Sequence, residues 1–180
     1  KMANATPTLL ERETPASGKS LASAETFKNH LAQWDDPPDW LTELKAAAWE
    51  RFSDLPMPTR RMESWRFAKT GNLNLDGYRL ASPIEDSEGE LLIEQSNIFE
   101  SFAGKMVFGD DHVIDIEHSE TTLEQRQAGL IWSPISIAIK EHSALLRKFF
   151  LTFTPDLGSE KFQALHSALF TNGSFLYVPP

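Results

Sequence analysis

"LPMPTRRMESWRF", residues 55–67, brings three arginines and a tryptophan close together in an otherwise acidic chain. Arg60, Arg61 and Arg66 surround Trp65, and this combination indicates one of two roles. The guanidinium groups and the indole form a surface that binds an anion or stacks on a ligand. Alternatively, the segment is a structural clamp that fastens one part of the fold to another.

Other residues of the segment favour the clamp. Glu63 lies within one helical turn of two of the arginines, so part of the positive charge is neutralised locally. Pro56 and Pro58 preset an extended backbone, and Trp65 and Phe67 supply large apolar side chains for packing. The ligand site stays open as the alternative.

The composition limits what the chain can do. It has 180 residues, of which 41% are hydrophobic, and a formal net charge of −9. That length is enough for one domain with a real core, and the negative charge argues against nucleic-acid binding. The absence of cysteine excludes disulfides, thiolate nucleophiles and cysteine metal sites. No apolar run reaches the roughly 18 residues that cross a bilayer, so we expect a cytoplasmic protein that binds no membrane.

The order of elements predicts an α+β fold. Residues 1–20 are small and polar and predict a flexible arm, whereas 21–180 predict a single domain. Helices dominate 21–70, and mixed strands and helices fill 71–180. The final "GSFLYVPP" (173–180) alternates like a strand. A strand that ends a chain without a partner indicates a fragment of a longer protein.

The N-terminal helices are amphipathic. One helix is predicted over "SAETFKNHLAQW", with Ser23 as its N-cap. A second is predicted over "DDPPDWLTELKAAAWERF", with Asp36 as its N-cap. The second helix carries an apolar stripe, formed by Trp40, Leu41, Leu44, Ala47, Ala48 and Phe52. Its outward face is charged, with Glu43, Lys45 and Glu50.

The second half of the chain predicts shorter elements. "SPIEDSEGE" (82–90) indicates an acidic loop, and "AGKMVFGDDHVIDI" (103–116) a β-hairpin. Residues 129–150 predict a strand that leads into one helix. The last helix, over 160–172, is expected to close at Asn172–Gly173 in the left-handed conformation.

The histidines are the candidates for chemistry. A metal site is conceivable in the hairpin, where ligand-type residues crowd together: Asp110, Asp111, His112, Asp115 and His118. A strand sends His112 and Asp115 to opposite faces, which favours a polar hairpin tip instead.

The remaining histidines do not indicate an enzyme. His142 and His166 lie on or beside apolar helix faces, as satisfied core or boundary histidines do. His30 has no sequence neighbour that favours catalysis. No serine-nucleophile or phosphate-loop motif occurs, so the sequence predicts no catalytic, cofactor-binding or metal-binding residue.

The opening segment, followed through "AKTGNL", resembles the N-terminal signature of the SufB/SufD family of iron–sulfur cluster assembly scaffolds, SufD above all. The residues that match that signature are Thr59, Arg60, Glu63, Trp65, Arg66, Phe67 and Leu73. The hairpin and the segment "KFQALHSALFTNGSFLYVPP" (161–180) are also similar to family segments, with Asp111 standing where the family usually has glycine.

The resemblance implies an N-terminal structural or docking domain of a SufD-like subunit, itself not an enzyme. Its partners would be SufB and SufC in a SufB–SufC–SufD complex. The terminal strand would lead into a β-helix. The iron–sulfur cluster and a flavin would belong to the full complex, so no cluster residue is carried over.

One alternative comes from the histidines. A stand-alone small-molecule-binding protein or hydrolase would use His112 or His142 beside a carboxylate. This alternative predicts a closed pocket that converges on a histidine.

Overall fold

The computed structural model describes residues 20–152 and 159–180, without the side chain of Asn72. Its helices are α1 Ala24–Leu31, α2 Asp39–Asp54, α3 Asp86–Gln95, α4 Glu120–Gln127, α5 Ile135–Glu141, α6 Ser143–Phe149 and α7 Glu160–Leu169. Its strands are β1 Gly104–Gly109, β2 His112–His118, β3 Ile131–Pro134 and β4 Ser174–Tyr177. The predicted α+β class is confirmed. Within the described ranges, no helix is both long and apolar enough to span a membrane.

The caps of the first two helices differ from one another. Ser23 caps α1 as predicted, because its hydroxyl accepts a hydrogen bond from the Thr26 amide at 3.1 Å. The cap predicted for α2 is wrong. Its N-cap position is Pro38, without a side-chain hydrogen bond, and Asp36 lies outside the helix with a φ of 51°.

α2 packs antiparallel against α7, and this pair carries much of the core. One cluster joins α2 to α5 and α6, and its buried members are Leu41, Ala138, Ile139, Leu146 and Phe170. A second fills the α2–α7 interface, with Phe52, Ala164, Leu165, Ala168 and Leu169 buried. Fully burying a side chain of the size of Leu41 contributes roughly 1.5–3 kcal/mol.

The face of α2 that meets the core differs from the predicted stripe at two positions. Lys45 was expected to point outward but is buried, and Ala47 was expected in the stripe but is exposed. A helix that turns about 100° per residue places Lys45 about 40° from Leu41, near the centre of the stripe. Ala47 falls on the opposite side for the same reason.

The predicted hairpin is confirmed. β1 pairs antiparallel with β2, from Gly104 opposite His118 to Gly109 opposite His112, with a register shift after Val107. Asp110 takes up the left-handed conformation at φ 54°, which aspartate tolerates better than most residues. Glycine is therefore not required at the tip.

Three predictions for the second half need correction. The second half of the "acidic loop" begins helix α3, which contacts the hairpin; its Leu92 and Ile93 are partly buried while its carboxylates face solvent. The single helix predicted before residue 150 breaks at His142, whose φ of −127° separates α5 from α6. Asn172–Gly173 has no left-handed residue; instead the Asn172 side chain accepts bonds from the Ser136 and Gly173 amides. Helix α4 was not predicted.

Among the residues that the structure describes, the second sheet consists of β3 and β4, paired antiparallel from Ile131 opposite Tyr177 to Pro134 opposite Ser174. Burial alternates along β4, as predicted, with Phe175 and Tyr177 partly covered.

The continuation into a β-helix and the division into one domain remain predictions. The flexible arm predicted for residues 1–20 lies, except for its last residue, outside the described residues.

Candidate functional site

Lys45 is the most deeply buried cation in the described ranges, with 1% of its surface exposed. Its Nζ lies 2.6 Å from the carbonyl oxygen of Phe170, 3.2 Å from that of Ala168 and 2.9 Å from Nε2 of His30. An ammonium group has three N–H donors and no acceptor. These three neighbours therefore satisfy it completely.

Two aromatic rings complete the surroundings of Lys45. The Nζ atom lies 3.7 Å from the ring centroid of Phe170 and 5.0 Å from that of Trp34. Ring faces are negative and attract a cation. Burial nevertheless penalises the charge and lowers the pKa of Lys45 to about 7, so this ammonium loses its proton more readily than an ordinary lysine.

His30 is the histidine that the sequence left without a role. It is fully buried on α1, and its Nε2 accepts from Lys45 when that lysine is charged, which places the ring proton on Nδ1. Nδ1 has no hydrogen-bond partner within the described residues. Burial and then the positive charge of Lys45 lower the pKa of His30 to about 4. The imidazole is therefore neutral at neutral pH.

Lys161 repeats the arrangement at the other end of the helix pair. Its Nζ lies 2.7 Å from the carbonyl oxygen of Phe52 and 2.6 Å from that of Leu55. The same nitrogen is 4.1 Å from the Phe52 ring centroid. Burial lowers the pKa of Lys161 as well.

Each helix thus supplies a lysine for the end of the other. The last carbonyls of a helix lack intrahelical partners, and a cation near them also interacts favourably with the helix dipole. Lys45 of α2 serves the end of α7, and Lys161 of α7 serves the end of α2. We call these two groups the reciprocal lysine caps. Both ammonium groups bond the protein's own main chain, so the arrangement joins the ends of the two helices.

The segment 55–67 lies at the Lys161 end of the pair. Leu55 is held by Lys161, and the Trp65 ring lies 6.3 Å from that of Phe162, also on α7. Both contacts therefore attach the segment to the first turn of one helix. A structural clamp requires such contacts. The role of the segment 55–67 as a clamp stays a prediction.

The charged residues of the segment point to solvent. Arg66 lies 3.2 Å from Glu63 in an exposed ion pair, and Arg60 is exposed, as are Thr59 and Arg61. Exposed pairs of this kind contribute little to stability. Phe67 had been expected to pack, but it is 86% exposed, and its ring meets the Arg66 guanidinium of the same segment, 4.6 Å from the ring centroid.

His112 is the histidine that meets a carboxylate. Its Nδ1 lies 2.8 Å from Oδ1 of Asp111, although the atoms are not aligned as a hydrogen bond. The Thr171 hydroxyl donates to the other Asp111 oxygen at 2.5 Å. All three line an open cavity of about 310 Å³ with Trp34 on its wall. The carboxylate stands between the hydroxyl and the imidazole, so the base does not contact the hydroxyl that it would activate.

The other candidates are separate. His166 is exposed on α7, and His142 lies between α5 and α6. The hairpin residues considered for a metal do not converge: no group of three or more potential ligands occurs among the residues that the structure describes.

Comparison with curated proteins finds similarity to iron–sulfur cluster assembly proteins. The chain is 28% identical over 173 residues to the iron-sulfur cluster assembly protein SufD of Bacillus subtilis (strain 168), covering 90% of this chain and 37% of that protein. The resemblance to the SufB/SufD family is confirmed. The SufBD family protein ycf24 of Pyropia yezoensis is 26% identical over 171 residues, with 87% of this chain and 34% of the relative covered. A SufBD family protein of Staphylococcus aureus (strain USA300) is 25% identical over 169 residues, with 86% and 34% covered.

The chain spans about a third of the length of these relatives. No family model matches it. No solved structure matches it either.

Sequence reasoning missed the reciprocal lysine caps, although a signal for one of them was present. Lys45 occupies a helical position between Leu41 and Phe52 on the apolar stripe, and its charge alone led to the outward prediction. His30 stands four residues after Thr26 on the buried face of α1. Their pairing joins residues from different helices, and nothing in the local sequence reports it.

Proposed function

We propose that this chain is a structural and docking domain of a SufD-like scaffold subunit in iron–sulfur cluster assembly, and that it is not itself an enzyme. The observation that carries the proposal is the similarity to SufD over 90% of the chain. SufB and SufC are its proposed partners, and the cluster belongs to the full complex as cargo.

The geometry supports a packing and docking role. Lys45 and Lys161, the side chains with the most perturbed environments on the α2–α7 pair, bond main-chain carbonyls of the other helix. Perturbed groups of this kind often mark active sites. Here the acceptors are structural, so the perturbation serves the fold.

The competing proposal is a hydrolase or small-molecule binder built on His112. The contact with Asp111 and the adjoining cavity favour it. The cavity is open rather than closed around the imidazole, and Thr171 donates to the carboxylate instead of to the histidine. The scaffold proposal therefore explains more of the chain.

The test is co-purification of the natural gene product that carries this sequence, tagged and expressed with the SufB and SufC proteins of the same organism. We expect both proteins to be recovered together with the tagged chain, and the His112→Ala variant to recover them equally well. His166→Ala, an exposed histidine on α7, is the matched control. Recovery of neither protein, with ester or phosphate hydrolysis that disappears in His112→Ala alone, would establish the competing proposal.

A further inference from the structure

An apolar surface lies between α3 and β1. Ile98, Phe99 and Phe102 belong to the connection between these elements, and Phe99 is 71% exposed. We call these three residues the 98–102 patch. Together with β1 they line a groove of about 430 Å³, within the range of about 300–1,000 Å³ typical of binding pockets.

The groove follows the edge of β1 rather than one of its faces. Its wall includes every residue of the strand from Gly104 to Phe108, whereas one face of a strand presents only alternate residues. β1 pairs with β2 on one side. On the other side, no main-chain hydrogen bond reaches β1 from the described residues. An edge in this state offers unpaired N–H and C=O groups to another strand.

The chain from α3 to the start of β1, which supplies the 98–102 patch, is acidic. Lys105 is the one charged residue that lines the groove, and its ammonium is neutralised by contact with Glu117 and by Asp115 at 3.5 Å. No lysine or arginine occurs between Arg79 and Lys105. The acidic residues of that interval are all exposed: Glu85, Asp86, Glu88, Glu90, Glu94 and Glu100.

We propose that the outer edge of β1 and the 98–102 patch bind an extended segment of a partner protein in which apolar and basic residues alternate. The segment adds a third strand to the hairpin, so main-chain hydrogen bonds hold it and side-chain pockets select it. Its apolar side chains pack on Phe99 and Phe102, and its cations complement the exposed carboxylates of α3 and of the connection to β1, which include Glu94 and Glu100. The inference deepens the proposed docking function and rests on it only for the identity of the partner.

Charge argues against a second copy of this chain as the occupant. Two copies would bring together two acidic α3–β1 surfaces, each on a chain of net charge −9. Like charges set against one another disfavour association and suppress wrong partners. A basic segment meets no such penalty.

The test uses the 180-residue chain and a short synthetic peptide of alternating valine and lysine, titrated by calorimetry at low salt. We expect saturable binding that protects the β1 amides from hydrogen exchange. Phe99→Ser should weaken it at least roughly tenfold, as loss of a central aromatic contact does. Phe149→Ser, an exposed phenylalanine on α6, is the matched control and should bind as the wild type does.

Two further peptides separate strand addition from simple charge attraction. A peptide with N-methyl groups on alternate amides keeps the charge but cannot pair along that edge, and a valine–glutamate peptide keeps the pattern but reverses the charge. We expect neither to bind. Equal binding of the N-methylated peptide, or an unchanged affinity in Phe99→Ser, overturns the proposal.

Sedimentation of the chain without peptide tests whether a second copy of the chain occupies the groove. A dimer that Phe99→Ser dissociates would assign the groove to a second copy and would also overturn the proposal. Failure of the valine–lysine peptide to bind would overturn this inference. It would not affect the proposed function, because the recovery of SufB and SufC is measured in a separate experiment. The two proposals can therefore fail independently.

Discussion

Lys45 and Lys161 cap opposite ends of the same helix pair, yet they meet different conditions. Each bonds two main-chain carbonyl oxygens and lies against a phenylalanine ring. Lys161, 9% exposed, lies close enough to solvent for water to accept its third N–H. Lys45, 1% exposed, lacks that access, and His30 supplies the third acceptor from a neighbouring helix.

The difference shows what a buried ammonium requires. Every donor that leaves water must find an acceptor, because an unsatisfied buried polar group costs about 1–3 kcal/mol. A neutral imidazole accepts without adding a second buried charge. We therefore interpret His30 as a consequence of the depth of Lys45, which also explains why Lys161 has no such companion among the described residues.

The largest expected effect comes from removing the deeper cap. Lys45→Ala leaves the carbonyls of Ala168 and Phe170 without their partner and opens a cavity, and we expect a loss of about 3 kcal/mol in the free energy of unfolding. Lys161→Ala, nearer to solvent, should lose about 1.5 kcal/mol by the same reasoning. Urea denaturation measures both, with the exposed Lys28→Ala as the control.

A volume-preserving variant refines this prediction. Lys45→Met keeps the packing while removing both the hydrogen bonds and the buried charge, so it should fall between the wild type and Lys45→Ala. If Lys45→Met is more stable than the wild type, burying the ammonium costs more free energy than its hydrogen bonds contribute. Lys45 would then not be a stabilising cap, and the comparison with Lys161 would fail.

The next effect is on the pH dependence of stability. The folded-state pKa of Lys45 is about 7 against an ordinary 10.5, so between these values the unfolded chain binds a proton that the folded chain does not. Stability therefore rises with pH across that window, by up to about 1.4 kcal/mol per unit. The pKa of His30, about 4 against 6.5, makes stability fall as the pH drops through that lower window.

Denaturant titrations at several pH values test both windows. Relative to the wild type, Lys45→Met should lose the rise above about pH 7, and His30→Leu should lose the fall below about pH 6.5. Profiles parallel to the wild type in both variants would show that neither group changes its pKa on folding.

The elements of the fold differ in how well the sequence predicts them. The hairpin, α1 and α7 follow from alternation, a serine cap and helical periodicity, which are local properties. The acidic segment 82–90 was wrongly predicted as a loop from its charge. Its second half begins helix α3, whose contact with the hairpin is not visible in the local sequence. Helix α4, polar almost throughout, offered no apolar stripe to read.

The site was less predictable than the fold. Sequence polarity placed Lys45 outside, and only the meeting of α1, α2 and α7 reveals three acceptors around one nitrogen. The segment 55–67 attracted attention through its arginines. In the structure its two attachments to α7 are an apolar ring and a main-chain carbonyl, Trp65 and Leu55.

The smallest effect concerns that segment and sharpens the comparison at the Lys161 end. Trp65→Ala removes the partly buried ring that contacts Phe162 on α7, and we expect a loss of about 1 kcal/mol, below the range for a fully buried aromatic side chain. Phe67→Ala is the matched control, since Phe67 is 86% exposed and should change stability by less than about 0.5 kcal/mol. Thermal denaturation of both variants decides between clamp and ligand site. If Trp65→Ala leaves the melting temperature unchanged, the segment is not a clamp, and the ligand site formed by its guanidinium groups is favoured. If the melting temperature falls in Trp65→Ala but not in Phe67→Ala, the segment acts as a clamp near the end of α2 that Lys161 caps.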